Sequence, residues 1–176
     1  MKKINYVTFS SMPSSLPSSL QIIKTCESFA KNKYDVTLIK PGTGIKDISI
    51  NKFYSLKHEV KIKQFDKIKK FPQGLTFYIY IFYCINKILR DKDNQSTTIT
   101  RNYLVCFLLL FLKKRVILEI HHDIGIEGRL TKFILRYFNF WNKENLCNIV
   151  AISKPVKDLF IRKYKIKPEK ITVLPS

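Results

Sequence analysis

The chain has 176 residues, 45% of them hydrophobic, and 32 basic side chains against 13 acidic, a formal net charge of +19. That length and apolar content suit one globular domain with its own core and exclude a disordered tail. The charge leaves three readings open: nucleic acid, an anionic membrane surface, or a Lys-, Ile- and Asn-rich coding bias; cations spread along the whole chain, clustered only at Lys61–Lys63, Lys67–Lys70 and Lys113–Arg115, favour the last two.

Met1-Lys2-Lys3 runs straight into Ile4–Phe9, too short for the apolar core of a secretory signal, and reads as the first strand. Ser10 to Ser19 is a Ser/Pro loop. Ser18 and Gln21 have capping-box spacing, so a helix is expected from Ser19 or Leu20, with Leu20, Ile23, Cys26, Phe29 and Ala30 as its apolar stripe. Tyr34–Ile39 follows as a strand, and Pro41 to Gly44 closes a βαβ unit. A weak helix is expected over Lys46–Leu56, a short strand near Glu59–Phe65 and an exposed turn over Lys67–Lys70. Leu75–Arg90 reads as a helix. Its apolar residues cover most of the circumference, as in a core helix, although aromatic rings beside Lys67, Lys69 and Lys70 also fit a membrane interface. Neither it nor Leu104–Leu112 reaches the ~20 apolar residues of a spanning helix. Thr97–Arg101 reads as strand, Asn102–Leu112 as helix and Arg115–Ile120 as a strand buried on both faces. Glu127–Trp141 is expected to be helical with Leu130, Phe133, Ile134, Tyr137, Phe138 and Trp141 on one side, and Cys147–Ile152 to be a buried strand. Ser153 caps a last helix with Pro155 in its first turn and Val156, Leu159, Phe160 and Tyr164 as its stripe; a turn over Lys165–Lys170 leads to a strand at Ile171–Leu174. Strands alternating with helices throughout predict an α/β fold, an open parallel sheet with helices on both faces.

Nucleotide-binding glycine patterns are missing: Gly42-x-Gly44 lacks a third glycine and follows the second strand, and the chain has only five glycines. The four cysteines, Cys26, Cys84, Cys106 and Cys147, are widely spaced within apolar segments, which reads as small buried hydrophobes in a reducing compartment. Ligands of open α/β sheets bind outside the carboxyl ends of the strands, and three such ends are polar. The Ser10–Ser15 loop offers hydroxyls and backbone N–H groups to a sugar or phosphate, or is an inert loop. Arg101 can fork onto a phosphate or carboxylate, or serve a structural ion pair. The end of the strand at Glu119 carries His121, His122 and Asp123; its E-x-H spacing puts Glu119 and His121 on one side of an extended chain, so the carboxylate can orient the imidazole. Ser153 follows a fourth strand and reads as a cap.

The Ser19–Ile39 block, Ile99-Thr-Arg-Asn102, Val116–Asp123, Ile149–Phe160 and the final Lys170–Ser176, in this order, resemble the N-terminal half of glycosyltransferase family 4, a retaining, GT-B-fold family. The resemblance spans essentially the whole chain, as a single Rossmann-like N-terminal domain over residues 1–176. It implies transfer of a sugar from a nucleotide-sugar donor to a cell-surface glycan or lipid-linked acceptor, with no metal or other cofactor. This half of the family binds the acceptor, and its E-x-H histidine faces the donor sugar. His121 takes that place, with Glu119 beside it. Arg101 matches the family's Arg after the preceding strand, while Ser10, Ser11, Ser14, Ser15, His122 and Asp123 are candidate substrate contacts. The resemblance also implies a cytoplasmic protein, peripheral at the inner face of the membrane, working in polysaccharide biosynthesis.

Two features depart from the family. The first loop has no Gly-Gly at the donor diphosphate. The chain stops at Ser176, before the family's donor-binding domain with its E-x7-E pair. The expectation is therefore a chain inactive by itself, completed by a donor-binding domain in cis or in trans. The alternative is a basic nucleic-acid-binding or non-catalytic α/β module.

Overall fold

A computed structural model of the chain describes residues 2–42, 47–66, 73–91, 95–124, 128–138 and 140–174. They form two compact units, Met1–Ser96 and Thr97–Ser176. The first contains β1 (Lys3–Val7), α1 (Pro17–Lys31), β2 (Asp35–Pro41), α2 (Asp47–Phe53), β3 (Lys61–Phe65) and α3 (Gln73–Leu89). The second contains β4 (Thr97–Thr100), α4 (Tyr103–Phe111), β5 (Arg115–Ile120), α5 (Arg129–Tyr137), β6 (Leu146–Ala151), α6 (Lys154–Tyr164) and β7 (Ile171–Val173). The class is α/β and Rossmann-like, an open sheet of parallel strands with helices between them, as the alternation predicted.

In the first unit the strand order is β3-β2-β1, with Lys3 opposite Asp35 and Thr37 opposite Lys61. In the second it is β4-β5-β6-β7, with Thr97 opposite Arg115, Leu118 opposite Ile149 and Ile149 opposite Ile171. Parallel pairing puts all strand ends of one unit on the same side, so the loops after β4, β5 and β6 are neighbours. The strands hold position because their β-branched and aliphatic residues are buried: Ile4, Val7, Leu38 and Ile39 in the first unit, Val116, Leu118, Ile149 and Ala151 in the second. The first unit also closes its strand ends with polar groups. Tyr80 of α3 donates its hydroxyl to the carbonyls of Thr8 (2.7 Å) and Ile39 (3.1 Å), and the buried Lys40 ammonium donates to Gln64 Oε1 at 2.6 Å.

Several expectations need correction. The first helix begins at Pro17, not at Ser19. Leu16 is its N-cap residue and no side chain caps it, because proline at the first position is already preset for the helix. Its buried face is Ser19, Ile22, Ile23 and Cys26, one step round from the expected stripe, and Leu20 is exposed. Ser153 is the N-cap residue of α6, with Pro155 following, but its hydroxyl makes no capping bond. The long helix expected to run to Trp141 ends at Tyr137 and is followed by a 3-10 turn at Phe140–Asn142. Thr131, Ile134 and Leu135 of α5 are buried, whereas Phe133, Tyr137 and the following Phe138 are exposed. Hydrophobicity alone cannot tell which face of a short aromatic helix meets the sheet. Cys147 is exposed because β6 alternates at its start, while Cys26, Cys84 and Cys106 are buried as expected. α3 buries Tyr80, Ile81, Cys84, Ile85 and Ile88 and exposes Leu75, Tyr78, Phe82 and Leu89, so it is a core helix with a second, apolar outer face. The Lys67–Lys70 turn lies outside the described residues. Among the described residues no helix is long and apolar enough to cross a membrane.

Candidate functional site

The second unit brings three of the expected residues together. Thr100 lies opposite Leu118, so the residues just beyond them, Arg101 and Glu119, are neighbours across the β4–β5 pair. Arg101 is fixed from its C-terminal side: Asn102 caps α4, its Oδ1 accepting from the Val105 amide at 3.0 Å, and the Asn102 amide donates to Thr100 Oγ1 at 3.1 Å. Arg101 Nη2 donates to Glu119 Oε1 at 2.8 Å, and His121 Nε2 lies 3.2 Å from the same oxygen. The Glu119 side chain is 8% exposed, that of Arg101 18% and that of His121 24%. The carboxylate is thus sealed under two cationic or N–H-bearing neighbours, and the imidazole sits at the surface above it.

An ionised carboxylate only accepts hydrogen bonds, so the proton on the His121 ring belongs on Nε2. In neutral His121 the second nitrogen, Nδ1, is then an acceptor directed away from Glu119. The arrangement can orient one imidazole and hold its tautomer, and the Arg101 guanidinium pairs with the buried carboxylate. Among the described residues no three His, Cys, Asp or Glu side chains gather as a metal site requires.

Asp123 is engaged elsewhere. It accepts from Lys163 Nζ at 2.5 Å and from the Tyr164 hydroxyl, both at the end of α6. Burial first, then the bond to Asp123, pushes the Tyr164 phenol up; the bond to Asp123 pushes the Lys163 ammonium up. Asp123 therefore moors the loop after β5. His122 is exposed, its Nδ1 donating to the Asp123 carbonyl at 3.2 Å. Sequence reasoning missed Lys163 and Tyr164, which lie 40 and 41 residues from Asp123 with no local pattern joining them. Asn102 was legible as a polar residue heading an apolar run.

In the first unit the serine loop is knitted to itself. The Ser14 amide donates to Tyr54 Oη and the Tyr54 hydroxyl to the Ser14 carbonyl, both at 2.7 Å. Ser14 Oγ donates to Ser19 Oγ at 2.9 Å, Ser19 Oγ donates to the Ser11 carbonyl at 3.4 Å, and the Ser10 amide donates to Thr8 Oγ1 at 3.0 Å. Met12 is fully buried beneath the loop, while Ser11 and Ser15 are exposed. Tyr54 too was missed: it comes from the end of α2, 40 residues away.

No protein-family model matches the chain, and no curated protein matches its sequence. Among solved structures it is similar to a glycosyltransferase from Rickettsia africae ESF-5, with a TM-score of 0.57 and 17% identity, over 98% of this chain and 42% of that one. At that identity the likeness shows the fold, which is glycosyltransferase-like. The chain spans about two fifths of that protein's length.

Proposed function

We propose that the chain is the acceptor-binding, N-terminal half of a retaining family 4 glycosyltransferase of GT-B fold. It moves a sugar from a nucleotide-sugar donor to a cell-surface glycan or lipid-linked acceptor. The observation that carries this reading is the Arg101–Glu119–His121 cluster at the strand ends of a glycosyltransferase-like fold, where open α/β sheets bind ligands. His121 presents Nδ1 to the donor sugar, Glu119 is its positioning residue, and Arg101 balances Glu119. His122 stands exposed beside them as an acceptor contact, and Asp123 acts by holding the loop through Lys163 and Tyr164. In the first unit Ser10, Ser11, Ser14 and Ser15 are substrate contacts; the Ser14 amide and carbonyl are held by Tyr54 and its hydroxyl donates to Ser19, so Ser14 meets a substrate as a hydroxyl acceptor. The nucleotide sugar is held by a donor-binding domain outside these residues, in cis or in trans, and the chain alone does not turn over. No metal is required, and the site of action is the inner face of the cytoplasmic membrane.

The test is transfer by this chain combined with a donor-binding domain, followed with radiolabelled nucleotide sugars and lipid-extracted acceptors. His121→Ala is expected to lower kcat about a hundredfold or more, the scale of losing one preorganised contact to the reacting group, in a chain that circular dichroism shows is still folded. Unaltered turnover removes His121 from the reaction. A second reading, a nucleic-acid module, rests on the +19 charge. It requires oligonucleotide binding that falls steeply and linearly in log affinity against log salt.

A further inference from the structure

The first unit carries an apolar band that its own packing leaves unused. The exposed residues of α3 are Gly74, Leu75, Tyr78, Phe82, Asn86 and Leu89. The four large apolar side chains among them are 44% to 68% exposed, Phe82 the most. Helical spacing lines them up on one side of α3, in a band about 21 Å long at 1.5 Å per residue. Rotation of the helix cannot hide it. Tyr80, Ile81, Cys84, Ile85 and Ile88 fill the inner side, and the Tyr80 and Tyr83 hydroxyls donate to the Thr8, Ile39 and Gln64 carbonyls. Turning α3 would trade one apolar face for another and break these bonds.

The band is neutral, on a chain of net charge +19. In the α3 sequence the charged residue is Lys87, whose ammonium lies over the Tyr83 ring, 5.3 Å from the centroid; Arg90 follows the helix. A polyanion finds no row of cations on this face to hold it. A second copy of the chain fits. Leu75 lies seven residues before Phe82 and Leu89 seven residues after it, so the apolar band reads nearly the same in both directions. An antiparallel two-fold contact pairs a patch with itself. It sets Phe82 against the partner's Phe82 and Leu75 against the partner's Leu89, and it brings no charge of α3 into the middle of the contact. The exposed residues of the band present on the order of 500 Å² per copy, or about 1,000 Å² in a pair. That is the low end for a specific interface, so the association is weak.

We propose that the outer face of α3 is a self-association surface, on which two copies of this chain pair antiparallel about Phe82. The pairing needs neither sugar donor nor acceptor, so it stands or falls apart from the transfer reading.

The experiment is sedimentation equilibrium of the 176-residue chain over a hundredfold range of concentration, at low and at high salt. A monomer–dimer equilibrium with a Kd of roughly tens of micromolar is expected. Raising the salt should tighten it about threefold or more, because two copies of charge +19 repel and salt screens the repulsion. Phe82→Ser should weaken it at least tenfold, since both copies lose the central ring. Leu75→Glu and Leu89→Lys should each weaken it about tenfold, yet together in one chain they should restore it, because antiparallel register sets each new charge against its opposite. Phe133→Ser, on the exposed side of α5, should leave it unchanged. Urea unfolding of Phe82→Ser separates lost contact from lost fold, and the charge variants carry the test if that chain unfolds early. A chain monomeric throughout, a dimer that loosens as salt rises, a double variant weaker than either single one, or a dimer lost in Phe133→Ser and kept in Phe82→Ser overturns the proposal. So does a Phe82→Ser chain that dimerises like the parent but no longer binds vesicles or oligonucleotides.

Discussion

Two strand ends of this chain are both rich in polar side chains, yet they are built on opposite principles. After β1 the polar groups are neutral and satisfy one another: Ser14 with Tyr54 and Ser19, and Thr8 with Tyr80. After β5 they are charged, and Glu119 Oε1 alone takes Arg101 and His121. A hydroxyl both donates and accepts, so a serine-rich loop can close its own hydrogen bonds and leave little over for a ligand. A carboxylate accepts only. It needs partners from other elements and so gathers them, which leaves an imidazole nitrogen facing outward. The candidate chemistry therefore lies with the charged end, and the serine loop is first of all a frame.

Breaking the charged end should have the largest effect. Arg101→Ala removes the guanidinium that donates to the buried Glu119 carboxylate at 2.8 Å, and removal of one partner of a buried pair costs about 3–5 kcal/mol. Urea unfolding reads this directly. Replacing both partners by apolar residues, Arg101→Met with Glu119→Leu, should recover most of the loss, because no buried charge is then stranded. A single-variant cost near that of an exposed pair would mean that the two strand ends do not differ in the way described.

The neutral end should fail instead at high pH. Burial holds the Tyr80 phenol far above its usual range and pushes the Cys84 thiol up to about 12 from an ordinary 9.0. The folded state therefore keeps protons that the unfolded chain releases. Stability from Cys84 is complete below about pH 9 and is lost as pH rises through about 12, by up to roughly 4 kcal/mol. The measurement is the unfolding free energy of the chain minus that of Cys84→Ala across this window. A difference that stays flat with pH would remove the thiol from the account.

Sequence pattern revealed the strands because each is a short apolar run between breakers, and the E-x-H spacing placed Glu119 and His121 together because alternation along a strand is a local rule. It failed wherever a partner came from far along the chain. Nothing local showed that Lys163 and Tyr164 hold Asp123, or that Tyr54 holds Ser14. It failed also on α5, where every aromatic residue is apolar but only the positions facing the sheet are buried. Phe133 and Tyr137 point outward because Thr131, Ile134 and Leu135 occupy the inner side. Local rules reach i+2 or i+4; tertiary pairing and the choice of face do not follow from them.

The smallest effect expected is at Tyr54, and it sharpens the contrast most finely. Tyr54→Phe deletes one oxygen that both accepts from the Ser14 amide and donates to the Ser14 carbonyl. It leaves the ring, nearly buried, in place. An orphaned, partly buried amide costs about 1–2 kcal/mol. The loss should be local: amide hydrogen exchange should speed up at Ser14 and Leu16, while β1 and β2 amides keep their protection, since Tyr80 still closes their ends. If exchange at Ser14 is unchanged, the loop is held by the Ser14–Ser19 hydroxyl pair alone. Ser14→Ala, which removes that pair and spares both backbone bonds to Tyr54, then becomes the more damaging change.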